Sequence, residues 1–159
     1  GAGYTCRDED SMESDTKLIF SGGKTMREIL FKAKRKDNGK WVEGYYRRIP
    51  CMGMLEHYIM PRNPKNRMEQ YAIDPDTLCQ YTGLTDKNGR KIWENDIVQA
   101  WSEGSNAIGK VIRRVDGLYI MYPAYQKKEF WGLYPNKNGK TTVEVIGNIF
   151  DNAGLLEVE

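Results

Sequence analysis

Apolar and polar residues alternate one by one over several short stretches of this chain, most clearly just after residue 28. Ile29, Phe31 and Ala33 alternate with Leu30, Lys32 and Lys34; after a break, Trp41, Glu43, Tyr45 and Arg47 alternate with Val42, Gly44 and Tyr46. A period of two puts successive side chains on opposite faces of a strand. Asn38-Gly39 stands between the two arms, and Asn-Gly recurs at Asn88-Gly89 and Asn138-Gly139, each time followed by Lys or Arg. Asn and Gly tolerate positive φ best, so the pattern predicts hairpins closed by type I′ turns, the first joining 28–34 to 40–48. Further strands are expected over 96–101, 109–114, 118–122, 129–133 and 142–150.

Two segments read differently. Residues 50–67 hold three prolines and little regular pattern, which predicts a loop with a short strand at His57–Met60. Asp74-Pro75-Asp76-Thr77 carries a capping residue followed by proline, the mark of one helical turn or a bend. No stretch has the period of a long amphipathic helix. The expected fold is mostly β, all-β or with one or two short helical turns. Glycines at strand corners and the rhythm of Asp96-Ile97-Val98, Gly109-Lys110-Val111-Ile112 and Asp116-Gly117-Leu118-Tyr119 suggest a small hairpin-built barrel, SH3-like in the C-terminal half.

Composition fits one folded domain within 159 residues. Leu, Ile, Val and Phe make up about a fifth of the chain, the border where disorder becomes plausible, but 24 basic and 22 acidic residues leave only +2, and ten Tyr, four Trp and seven Met add apolar bulk. No window approaches the roughly 18 apolar residues of a membrane span or the core of a signal peptide. Residues 1–25 carry three of the basic and five of the acidic residues, net −2, leaving +4 for the rest. They read as a flexible leader or cloning remnant, with an edge strand at Lys17–Phe20 as the alternative, and 26–159 as a single β domain. Three widely spaced cysteines, Cys6, Cys51 and Cys79, fit reduced, buried or incidental thiols in a cytosol.

Chemical motifs are sparse. Ser21-Gly22-Gly23-Lys24-Thr25 ends like a phosphate-binding loop, but the first glycine of that pattern is replaced by Leu18 and a strand follows, not a helix. A structural zinc needs about four close Cys or His ligands, and His57 is the chain's one histidine, so no metal or cofactor is expected. Any nucleophile would depend on that same histidine as base. Asp74, Asp76, Asp86, Glu94 and Asp96 are dense enough for paired-carboxylate chemistry, but Asp at turns ordinarily accepts backbone amides. The expectation is a protein that is not an enzyme.

Binding is the remaining class. Lys34, Arg35, Lys36, Arg47 and Arg48 cluster about the first hairpin, where Lys32 and Lys34 share a face and Trp41, Tyr45 and Tyr46 offer planes for base stacking. Lys127-Lys128 with Phe130 and Trp131 repeat that theme. The competing reading of such lysines is protection of a strand edge. Tyr119, Tyr122, Tyr125, Trp131 and Tyr134 would line an aromatic groove for a protein partner or a second copy. A protein partner or self-association ranks first on this reading, and a nucleic acid second.

Three stretches together resemble the YopX family of phage and prophage proteins: Met26–Ala33 with Gly39–Gly44; Ile73–Thr77 with Gln80–Val98; and Val143–Phe150. They occur in order and span about four fifths of the chain. The resemblance implies a mostly β protein encoded by a phage or prophage and acting in the host bacterial cytoplasm, and it implies no catalytic residues. The family usually has Gly before the Asp of the Asp96-Ile97-Val98 strand, where this chain has Asn95. Asn also tolerates a left-handed backbone, so the turn is expected to survive.

Overall fold

The computed structural model describes residues 28–102, 104–122 and 129–156, without the side chains of Ser102 and Ser105. The expectations for residues 1–25, including the Ser21–Thr25 motif and the Lys17–Phe20 strand, and those for Tyr125 and Lys127-Lys128 fall outside them. The chain divides into two compact units between Leu78 and Cys79.

The first unit is an antiparallel sheet of β1 (Phe31–Lys34), β2 (Trp41–Cys51), β3 (Met54–Pro61) and β4 (Tyr71–Ala72), in the order β4-β3-β2-β1. β2 and β3 pair without a register shift from Gly44 opposite Pro61 to Cys51 opposite Met54. In the proline-bearing segment 50–67, a loop runs over 62–67 as expected, while the short strand expected at His57–Met60 lengthens to the eight-residue β3. Its prolines did not forbid it, because Pro50 and Pro61 stand near the strand ends, where a missing amide costs little. Ala33, Ile59 and Ile73 form a core against Phe31, Val42, Tyr46 and Leu78. Gly44 is required by close approach: a Cβ there would lie 1.9 Å from the Met60 carbonyl oxygen. After β4, Asp74 caps a 3-10 turn at Pro75–Thr77 by accepting the Asp76 amide at 3.0 Å, as the capping pattern predicts.

The second unit begins with the hairpin of β5 (Cys79–Thr85) and β6 (Lys91–Trp93). A five-stranded antiparallel sheet follows, of β7 (Asp96–Ser102), β8 (Ser105–Arg113), β9 (Tyr119–Tyr122), β10 (Trp131–Gly132) and β11 (Glu144–Asn148), in the order β10-β9-β8-β7-β11. Its core joins Ile92, Val98, Ala100, Ala107, Val111, Tyr119, Met121, Leu133, Val143 and Val145. The mostly β fold is as expected, but among the described residues the strands close no barrel. β10 and β11 remain the edges of an open sheet, and a two-residue β10 is too short to seal one.

The turns also differ from expectation. Gly39, Gly89 and Gly139 have positive φ, but Asn38, Asn88 and Asn138 do not, so these are not type I′ turns. Side-chain oxygens select the alternative: Asn136 Oδ1 accepts the amides of Asn138 and Lys140, and Asp86 Oδ1 those of Asn88 and Arg90. That bonding needs only one left-handed residue, the glycine. The two-residue turn with both φ positive is Met52-Gly53, at +52° and +79°. Asn95 has φ +69°, the left-handed backbone expected where the family has glycine. Cys79 is a buried free thiol. Cys51 is disulfide-bonded, a correction to the reduced-thiol reading at that position.

Candidate functional site

Alternation along the unshifted β1–β2–β3 ladder sorts the basic candidates by face. Lys34 lies directly opposite Trp41, and Lys32 opposite Glu43. Counting on along β2, Tyr45 and Arg47 share that face, and across from them stand Met60 and Tyr58. The Lys32 ammonium lies 4.7 Å from the Trp41 ring centroid and the Lys34 ammonium 5.5 Å, both within cation–π range. Arg47 Nη1 reaches Gln70 Oε1 at 3.5 Å. The face also carries two carboxylates, Glu43 and Glu56, the second accepting a hydrogen bond from the Tyr58 hydroxyl. That bond, more than partial burial, raises the Tyr58 phenol above its ordinary range.

The other three basic candidates go elsewhere. Arg35 binds the Asp37 carboxylate through Nε at 2.9 Å and Nη2 at 2.5 Å, and lies 3.9 Å from the Tyr71 ring centroid. This bidentate bond holds the Asp37 carboxyl below its usual range. Lys36 is exposed in the β1–β2 turn, its amide bonded to the Ala72 carbonyl at 2.9 Å. Arg48 is on the opposite face from Arg47, with Tyr46 two residues back and His57 directly across. The expected cluster of five is therefore split, with Lys34 and Arg47 on the tryptophan face. Tyr58 joins them unforeseen: it lies in the short strand expected at His57–Met60, but nothing in the sequence paired that strand with β2.

On the opposite face, the Tyr46 hydroxyl and His57 Nδ1 are 2.5 Å apart, with ring planes within 7°. Tyr46 packs against Phe31 at 5.5 Å between centroids. Burial raises its phenol above the ordinary range, and the nearby Arg48 charge partly offsets that.

Among the described residues, the four aromatic side chains expected to line a groove do not come together. Tyr119 is 6% exposed in the core and its hydroxyl donates to Glu94 Oε2 at 3.2 Å. Trp131, opposite Met121, packs on the same core. Tyr122 falls on the other face, across from Lys110, and Tyr134 is exposed with its ring over Gly132. The core took two of the five because a strand residue's neighbours across the ladder, not its type, decide its face.

The carboxylates act in turns: Asp74, Asp86 and Asp96 each accept backbone amides. Among the described residues no three His, Cys, Asp or Glu side chains gather as metal ligands, and no helix is long and apolar enough to cross a membrane.

The family model described as YopX protein matches residues 30–157. No curated protein matches the chain. Among solved structures, protein EF1440 from Enterococcus faecalis is similar at 19% identity and a TM-score of 0.39, over 83% of this chain and all of that one.

Proposed function

The chain belongs to the YopX family, and on the geometry of its first sheet we propose that it is a non-enzymatic binding module for single-stranded nucleic acid. The observation that carries this is Trp41 with the ammonium groups of Lys32 and Lys34 at 4.7 and 5.5 Å, on one face with Tyr45 and Arg47. Flat rings interleaved with cations let bases stack while phosphates meet positive charge. The aromatic groove favoured for a protein partner is divided between core and surface, which reverses the order of the two readings. The family resemblance supports a phage or prophage origin and a host cytoplasmic location. The Cys51 disulfide bears on the location: disulfides persist in oxidising compartments, so thiol trapping in whole cells must find Cys51 reduced if the cytoplasmic reading holds.

Fluorescence anisotropy with 5′-hydroxyl DNA and RNA single strands and a duplex, over a salt series, tests the binding reading. Three cations on one face predict a slope of log affinity against log salt of about −2 for a single strand. A Lys34→Glu, Arg47→Glu double variant should flatten it by about 1.4, while Lys137→Glu, in the second unit, leaves it unchanged. No binding at low salt, or an unaltered slope in the double variant, overturns the reading.

One observation favours a second reading, a protein partner. The β2–β3 turn exposes Met52, Met54 and Leu55 by 84%, 73% and 53%. Cross-linking of the purified protein that captures no second copy, together with host-extract capture unaffected by Met54→Ser and Leu55→Ser, counts against it.

A further inference from the structure

His57 is the chain's one histidine, and its bond to Tyr46 decides which ring nitrogen carries the proton. A phenol is far more acidic than a neutral imidazole N–H, so the hydroxyl donates to Nδ1 and the proton resides on Nε2. The second nitrogen is thereby a fixed donor. Directly across the ladder is Arg48, whose side chain shares that face and is exposed. Side chains directly opposite on neighbouring strands start about 5 Å apart, near enough for both donors to meet one small anion. Among the described residues no carboxylate pairs with Arg48 and no protein acceptor meets Nε2. The charged and titratable groups on this face are Tyr46 and Arg48 from β2 and His57 from β3, with Tyr71 at the β4 edge and Arg35 above it; two carboxylates accompany them, Glu69 accepting the Tyr71 hydroxyl at 2.7 Å and Asp37 neutralising Arg35 at 2.5 Å.

We propose that His57 Nε2–H and the Arg48 guanidinium form a binding site for a phosphate group, with Tyr46 as the positioning residue that fixes the imidazole tautomer. An Arg fork and a neutral imidazole N–H together supply three hydrogen bonds to the oxygens of one phosphate. The same chemistry is presented by the terminal phosphate of a strand and by a free nucleotide. The site lies on the face opposite Trp41 and does not depend on strand binding there.

Nitrogen-detected NMR of the histidine ring in the full-length protein, titrated with inorganic phosphate, tests it. The proposal requires the Nε2–H tautomer and a saturable phosphate-dependent shift of His57. Arg48→Gln should weaken phosphate by at least about tenfold and keep the tautomer, since the two charge-assisted bonds of the fork are lost. Tyr46→Phe should let the ring become a mixture of tautomers, a change that a merely packing role of Tyr46 would not produce. The Nδ1–H tautomer in the wild-type protein, or equal phosphate affinity in Arg48→Gln, overturns the proposal. Competition separates the sources: a 5′-phosphorylated strand displacing phosphate where its 5′-hydroxyl twin does not assigns a strand end, and displacement by a nucleoside monophosphate alone assigns a free nucleotide. Inorganic phosphate is the probe, so a failure of strand binding at Trp41 leaves this result standing.

Discussion

Asp86 Oδ2 accepts the backbone amide of Val145, 59 residues along the chain, at 3.1 Å. Its other oxygen accepts the amides of Asn88 and Arg90 at 2.9 and 2.8 Å, so one carboxylate, 1% exposed, ties the β5–β6 turn to β11. Removing it leaves the buried Val145 amide without its acceptor, and buried donors left unmet cost about 1–3 kcal/mol each. Asp86→Ala should therefore lower unfolding free energy by about 3 kcal/mol in urea titration followed by tryptophan fluorescence. Asp86→Asn, which keeps one acceptor oxygen, should lose less.

Met52 holds a backbone conformation that side chains rarely adopt, and it does so at an exposed turn where nothing in the fold requires methionine. A left-handed non-glycine residue costs about 1–3 kcal/mol, and asparagine bears that conformation best. Met52→Asn should raise stability by about 1 kcal/mol, read as a higher urea midpoint at unchanged slope. If the apolar tip serves a partner, the same variant loses capture of that partner while gaining stability.

Alkaline pH should loosen the first unit. The Tyr58 phenol is raised by its bond to Glu56, and the Tyr46 phenol by burial. A phenol raised on folding favours the neutral folded form, so its contribution is whole below the ordinary tyrosine value of about 10 and is lost as pH climbs through the raised value. Thermal unfolding should show a Tm insensitive to these groups up to about pH 9.5 and falling above it. Glu56→Gln, which takes the charge from beside Tyr58, should make that fall shallower; an identical fall in the variant would contradict the assignment.

Much of the fold was legible wherever side chains alternate on strands with one wet face. The first hairpin and β7, β8, β9 and β11 follow directly from that pattern. β3 was legible at His57–Met60 but not in its full length, because Pro50 and Pro61 read as loop signals, though they sit near the ends of β2 and β3, where they are tolerated. The barrel was not legible: the same hairpins form an open sheet or a closed one, and closure depends on how far the last short strand extends. At the site, face assignment needs register. Arg47 and Arg48 are neighbours in sequence and therefore opposed in a strand, and only the pairing with Tyr58 and His57 shows which face each serves. The Asn-Gly turns were placed correctly but mistyped, because the side-chain bonds of Asn136 and Asp86 outweigh the preference of the dipeptide.

The central claim is that the Trp41 face takes the bases of a single strand. Its most direct measurement is the indole N–H resonance of Trp41 during titration with a short 5′-hydroxyl oligothymidylate. The account predicts that this resonance moves and saturates together with the amides of Tyr45 and Arg47, while the other three indoles stay still. Trp41→Ala should then cost about 1–3 kcal/mol of binding, the worth of one stacked base. A Trp41 resonance that stays fixed while the oligonucleotide binds would contradict the account and place the strand elsewhere on the protein.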